Sequence, residues 1–276
     1  MLRRALRRPS LVLPRFPQPG EGVHVYDEQW RAGGNAFNEA RALADWGLRV
    51  ALMGDTLGHD QAGDLLAAVL AVLPLDTGFL MRSMKARTPV CHILRTPDGE
   101  RTILATRDSD PPFHPPSQAL LQRCRLVSVT RYGPHTAAVA RSASAARCTV
   151  LVGDATRPDD DWAPWADVIV TSAALLRAHT PDVPIATQIV DLHRLRGATV
   201  IVTDGPRAVR ALWNVDGKMT HNSVLPPPIQ VADSTGAGDV FRAAVGRAIV
   251  QGTSWPQTIA DATAAAAAFC SSIDHR

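Results

Sequence analysis

The sequence predicts a layered α/β domain built on a largely parallel sheet. Helical and strand-like segments alternate from about residue 34 onward. Four apolar, β-branched runs recur at 125–130, 148–153, 167–171 and 198–203 (RLVSVT, CTVLVG, DVIVT and ATVIVT). Strands buried on both faces read as such continuous runs, whereas half-exposed strands alternate. Two apolar-periodic helices, at about 237–251 and 256–270, close the chain.

Taken in order, Ala36, Ala40, Leu43, Ala44 and Gly47 fall at helical spacing, and RVALMG (49–54) reads as the strand that follows. A second helix is predicted over about 59–72, with Ala62, Leu65, Leu66, Val69 and Leu70 on one side. Residues 88–104 read as a β-hairpin turning on Pro97-Asp98-Gly99. After the four buried-strand runs, RAVRALW and KMTHNSV flank the turn NVDG and predict a second hairpin, which the triple proline at 226–228 ends. Neither an internal repeat nor a low-complexity linker divides residues 1–276, so one domain with a small β-rich projection is expected.

Composition narrows the function classes. The chain has 276 residues, 46% hydrophobic and 20% charged, enough apolar material for a large core. Its net charge of +3, with no basic stripe interleaved with aromatics, argues against a nucleic-acid binder. Nearly every base is arginine, since only Lys85 and Lys218 are lysines; this carries no functional reading. Cys91, Cys124, Cys148 and Cys270 are widely spaced without a CxxC, which fits free thiols rather than zinc or a disulfide framework. No apolar run reaches the roughly 18 residues that span a bilayer, and MLRRALRRPSLVLP lacks the apolar stretch of a secretory signal. A soluble cytoplasmic protein is expected.

The most informative stretch is VADSTGAGDVFRAAVGRAI (231–249). Gly236, Ala237 and Gly238 run directly into an apolar-periodic helix, and small residues there let the backbone approach a ligand closely. The first amides of a helix lack intrahelical partners and lie at the positive end of its dipole, a place suited to phosphate. Asp239 falls in the first turn, where a carboxylate can take a proton from a hydroxyl while amides stabilise the moving phosphoryl group. The plainer alternative is an ordinary helix start with Asp239 capping amides. A P-loop is excluded because neither Lys85 nor Lys218 lies in a Gly-Lys-Ser/Thr sequence. A dinucleotide fingerprint needs a third glycine where the chain has Phe241.

Two motifs about two hundred residues apart carry a resemblance to the ribokinase-like, or PfkB, family of carbohydrate kinases. GGNAFNEARALADWG (33–47), followed by RVALMGDTLGHDQAGDLL (49–66), is similar to the family's amino-terminal signature, and DSTGAGDVF (233–241) to its carboxy-terminal one. The resemblance spans roughly residues 15 to 272. It implies a three-layer α/β/α fold with a mostly parallel central sheet and a small β lid, formed by about 11–32 and 87–105. It also implies ATP, Mg²⁺ carried with the nucleotide, and a sugar. By motif position, Asp239 matches the catalytic base, and Gly236, Ala237 and Gly238 match the anion hole. Gly34, Asn35 and Asn38 match positions that hold sugar hydroxyls. Thr203 and Gly205 match the strand end against which ATP packs, and Asp233 and Thr235 match a monovalent-cation site for K⁺. The asparagines can equally cap their helix, and Thr203 with Gly205 can be a plain strand exit. Lid strands in such folds can pair between subunits, so a homodimer is also implied.

Three departures qualify the resemblance. No acidic residue precedes Glu21, where relatives carry a strand ending in a sugar-binding aspartate; a misplaced start, a changed substrate or lost activity would each explain this. An Asn-x-x-Glu motif is replaced by Ser172 and Leu175; ketohexokinase-like branches also lack that motif, and the short TPDGERTIL lid and the DGKMTHNSVLPPP stretch resemble theirs, which favours a ketose or related sugar. The chain stops soon after its alanine-rich helix, so weaker adenine binding is expected. The alternatives to a sugar kinase are a catalytically impaired protein that still binds nucleotide or sugar, and an adenosine-type nucleoside kinase.

Overall fold

A computed structural model describes residues 6–97, 101–106, 113–130, 134–231 and 234–272. The Asp98-Gly99 part of the predicted hairpin turn lies outside these residues, as does Asp233. The chain divides into two compact units. One comprises Arg3–Asp45 and Arg49–His114, the other Met1–Leu2, Trp46–Leu48 and Pro115–Arg276.

The first unit holds a four-stranded sheet formed by β1 (Leu6–Val12), β2 (Asp27–Gly33), β5 (Cys91–Arg95) and β6 (Arg101–Ala105), in the order β2-β1-β5-β6. Strand β1 runs antiparallel to β2, with Leu6 opposite Gly33, and parallel to β5, with Ser10 opposite Ile93. Residues 6–12 thus form a strand that pairs with β2 along its length and with β5 from Ser10 to Val12. The predicted lid segments contribute β2 and the antiparallel hairpin β5–β6 to this sheet. Strand β5 buries Cys91 and Ile93 on one face, and β6 leaves Ile103 and Leu104 exposed at the sheet edge.

Helix α1 (Asn35–Asp45) follows β2, burying Ala36, Phe37, Ala40, Leu43 and Ala44 at the predicted spacing. The predicted strand RVALMG is a correction. Only single bridges form there: Ala51 pairs with Asp76, and the Leu52 amide donates to the Asp76 carbonyl at 2.9 Å. An apolar run signals burial, and here burial comes without a neighbouring strand to complete a ladder. Two short strands, β3 (Leu57–Gly58) and β4 (Arg82–Ser83), pair in parallel and bracket helix α2 (Gln61–Ala71). Asp60 caps α2 by accepting from the Gly63 amide at 2.7 Å.

The second unit contains a short α3 (Gln118–Leu121) and a six-stranded sheet. Its strands are β7 (Leu126–Val129), β8 (Thr149–Gly153), β9 (Val168–Ser172), β10 (Thr199–Asp204), β11 (Arg207–Val215) and β12 (Lys218–Val224). They lie in sequence order, β7 to β10 parallel and β11–β12 an antiparallel hairpin at the edge. The four apolar runs are therefore the parallel strands, and RAVRALW with KMTHNSV the hairpin, as the sequence predicts. Between the strands lie α4 (Pro134–Ala145), α5 (Ala173–His179) and α6 (Ile185–Arg194), and the unit ends in α7 (Ala237–Gln251) and α8 (Trp255–Ser271).

Alternation divides the sheet residues between its two faces. Leu151, Val168, Val170, Ile201, Ala211 and Trp213 pack with Phe241, Val245, Ile259 and Ala262 of α7 and α8. Val150, Val152, Ile169, Val200 and Val202, of the opposite parity, are equally buried. Helices α4 to α6 contact these strands, so the sheet is the middle of three layers. Trp46 joins this core and receives the Arg247 guanidinium over its ring at 5.7 Å.

Candidate active site

Helix α7 begins as its sequence dictates. Gly236 occupies the N-cap with φ 98° and ψ −2°, a left-handed conformation that a Cβ would make costly. No side chain caps the helix there. The Gly236 carbonyl accepts from the amides of Asp239 at 2.9 Å and Val240 at 3.0 Å. The Ala237 amide donates to the Ser234 carbonyl at 3.2 Å, so it is already engaged. The Gly236 and Gly238 amides have no hydrogen-bond partner among the described residues. Gly238 is exposed and a Cβ on it would meet open space. The loop thus presents two open amides at a positive helix end rather than the three that the sequence suggests.

Asp239, in the first turn, is only 6% exposed. Its Oδ1 accepts from Nη2 of Arg242, one turn along the same helix and 3% exposed. Nη1 of Arg242 donates to Oδ1 of Asp154 at 3.0 Å. Asp154 follows the end of β8 with φ 58°, and its amide donates to the Val170 carbonyl of β9 at 2.8 Å. One guanidinium therefore ties the α7 carboxylate to the carboxyl end of the parallel sheet. In open α/β sheets ligands bind at that end of the strands.

Thr203 and Gly205 lie at the same sheet end. The Thr203 hydroxyl donates to the Thr171 carbonyl at 3.3 Å, tying β10 to β9. Gly205 turns the chain into β11 with φ 60° and has open space where a Cβ would be. Between them Asp204 accepts from Nε and Nη2 of Arg207, each at 2.9 Å, and from Arg177 at 2.6 Å. Arg207, ahead of the opposing effect of burial, and then Arg177 lower the Asp204 pKa to about 2.

In the other unit, Gly34 is buried with φ 109° at the mouth of α1, and its carbonyl accepts from the Asn38 amide at 2.9 Å. Asn35 opens the helix, and both asparagines are half-buried. Asn35 lies within the helix rather than at its cap. Thr235 is half-buried beside Gly236. Ser172 caps α5 by accepting from the Leu175 amide at 3.2 Å. Among the described residues no three His, Cys, Asp or Glu side chains gather as a metal-ligand set, and no helix is long and apolar enough to cross a membrane. A Mg²⁺ ion held largely by nucleotide phosphates and water needs no such set.

Sequence reasoning missed Arg242 and Asp154. The available signal was a charged residue on the apolar helix VFRAAVGRAIV, three positions after a carboxylate, where side chains meet.

A family model described as pfkB family carbohydrate kinase matches residues 6–275. Mouse ketohexokinase is 24% identical over 265 residues, spanning 90% of this chain and 87% of that protein. The structure of Arabidopsis thaliana ribokinase complexed with ribose and ATP superposes with a TM-score of 0.79 at 22% identity, covering 96% of this chain and 90% of that one. Thermotoga maritima ribokinase superposes with a TM-score of 0.81 at 18% identity, covering 99% and 92%.

Proposed function

Because the chain belongs to the pfkB family of carbohydrate kinases, we propose that it transfers the γ-phosphoryl group of ATP to a hydroxyl of a ketose or related sugar, with Asp239 as the general base. The observation that carries this reading is the start of α7: a buried carboxylate in the first turn, following two glycine amides that have no hydrogen-bond partner among the described residues. The similarity to a ketohexokinase supports a ketose acceptor, and the similarity to ribokinases keeps aldoses on the panel.

In this reading Asp239 takes the proton of the sugar hydroxyl as its oxygen bonds to the γ-phosphorus. The bond from that phosphorus to the β,γ-bridging oxygen breaks, ADP departs with the electron pair, and the proton on Asp239 passes to solvent. The Gly236 and Gly238 amides stabilise charge on the transferred group, which is where most catalysis of phosphoryl transfer arises. The Ala237 amide, bonded to Ser234, contributes by spacing rather than donation. Gly34, Asn35 and Asn38 hold sugar hydroxyls, and Thr203 and Gly205 border the nucleotide. When bound with the nucleotide, Mg²⁺ would neutralise part of the phosphate charge. Asp233 and Thr235 would hold a K⁺ ion. The β2 and β5–β6 strands serve as the lid, and β6, an edge strand with exposed Ile103 and Leu104, would form the homodimer contact.

The test is a phosphotransfer assay with ATP over a ketose and aldose panel, comparing wild type with Asp239→Asn. The reading requires sugar-dependent ADP release that falls by about 10²–10⁴ in the variant. Equal rates in the two proteins would remove Asp239 from the chemistry.

A further inference from the structure

Arg242 is the least expected residue of α7. It lies on a helix that otherwise buries Val240, Phe241, Ala243, Ala244 and Val245, and it is itself almost wholly enclosed. A guanidinium in such a place carries a large desolvation cost unless its donors are matched. Here Nη2 meets Asp239 and Nη1 meets Asp154, 88 residues away in sequence. The backbone has been shaped to allow it. A Cβ on Gly153 would stand 2.7 Å from Cδ and 2.8 Å from Nε of Arg242, so the arginine side chain lies directly across this strand end and a Cβ there would displace it. The next residue, Asp154, takes up a left-handed φ of 58° that non-glycine residues rarely adopt, while its amide stays fixed to β9.

A salt bridge of this kind is an inefficient way to stabilise a core, since apolar side chains of similar volume do as well or better. It is an efficient way to fix a carboxylate, because a planar fork defines both position and orientation.

We propose that Arg242 is a positioning residue that aims the Asp239 carboxylate for proton transfer, with Asp154 as its outer anchor and Gly153 as the gap that admits it. This rests on Asp239 being the base. Arg242 touches no reacting atom; it acts through Asp239.

Steady-state kinetics of Arg242→Lys, Asp154→Asn, the double variant and Asp239→Asn test this on the full chain, with thermal unfolding of each. Lysine keeps the charge but cannot fork to two carboxylates. The expected result is a fall in kcat of about tenfold or more for Arg242→Lys. A smaller fall is expected for Asp154→Asn, with KM for ATP and sugar within about threefold and Tm within a few degrees. The double variant should be no slower than Arg242→Lys alone, because the two residues act as one chain. The proposal is overturned if Arg242→Lys keeps wild-type kcat while Asp239→Asn loses it, or if the two single losses multiply. It is equally overturned if KM rises with kcat unchanged. Should Arg242→Lys not fold, the near-isosteric Asp154→Asn decides alone, and an unaltered kcat there overturns the proposal. An active Asp239→Asn is a different outcome, which ends the general-base reading itself.

Discussion

Thr88 donates its amide to Oδ2 of Asp60 at 2.8 Å, joining residues 28 apart in sequence through the carboxylate that also caps α2. The Thr88 side chain closes the knot by accepting from the Gly58 amide at 2.9 Å. Around this pair the chain packs so tightly that two glycines are obligatory.

Asp60→Ala removes the α2 cap and strands the Thr88 amide, so it should lower stability by about 1–3 kcal/mol. Burial raises the Asp60 pKa, but the Thr88 and Gly63 amides and the Arg82 charge outweigh it and hold the carboxyl below its usual value. The depressed value means that its contribution is present above the unfolded pKa, about 4, and is lost as pH falls through the folded one. Urea denaturation at pH 7 and pH 3 should therefore show the wild type and Asp60→Ala converging at the lower pH.

Gly63→Ala should be more damaging. A Cβ there would lie 2.2 Å from the Gly58 carbonyl oxygen and 2.8 Å from Oγ1 of Thr88. The nearer obstacle is main chain, so helix α2 must shift to relieve it. A loss of about 2–4 kcal/mol is expected, read as a lowered denaturant midpoint.

Asp204 gives a second pH signature. With its pKa lowered to about 2, its ion pairs with Arg207 and Arg177 stabilise the fold fully above about pH 4 and progressively less from there down to pH 2. Asp204→Asn should lack this component. Its stability should fall less steeply than that of the wild type between pH 4 and pH 2, and equal slopes would refute the assignment.

Gly238→Ala separates structure from function. The added methyl meets open space, so Tm should stay within about 2 °C of wild type. If the Gly238 amide faces a transferred phosphoryl group, the same methyl should cut kcat/KM for ATP by about tenfold or more. Unchanged kinetics would remove the anion site from this turn.

Much of the architecture could be read from residue pattern. The four continuous apolar runs became β7 to β10 because a strand covered on both faces needs no polar alternation. The helices at 237–251 and 255–271 followed from periodicity and from Gly236. Pattern failed at RVALMG, which is buried without ladder partners. The cause is physical: a strand is defined by its neighbour, and the neighbour is remote in sequence.

The candidate site divides in the same way. Gly236, Gly238 and Asp239 announce themselves because the chemistry of a helix N-terminus is local: open amides, a permissive backbone and a carboxylate within one turn. The sequence alone therefore determined the layered α/β class, the glycine-lined start of α7 and the resemblance to carbohydrate kinases. Only the tertiary structure decided what holds Asp239. Arg242 reaches Asp154 across 88 residues, over a glycine at the end of a different element, and no local pattern encodes that distance. Helix periodicity fixes which residues share a face. Which charge a buried guanidinium meets depends on how the sheet brings its strand ends to that face.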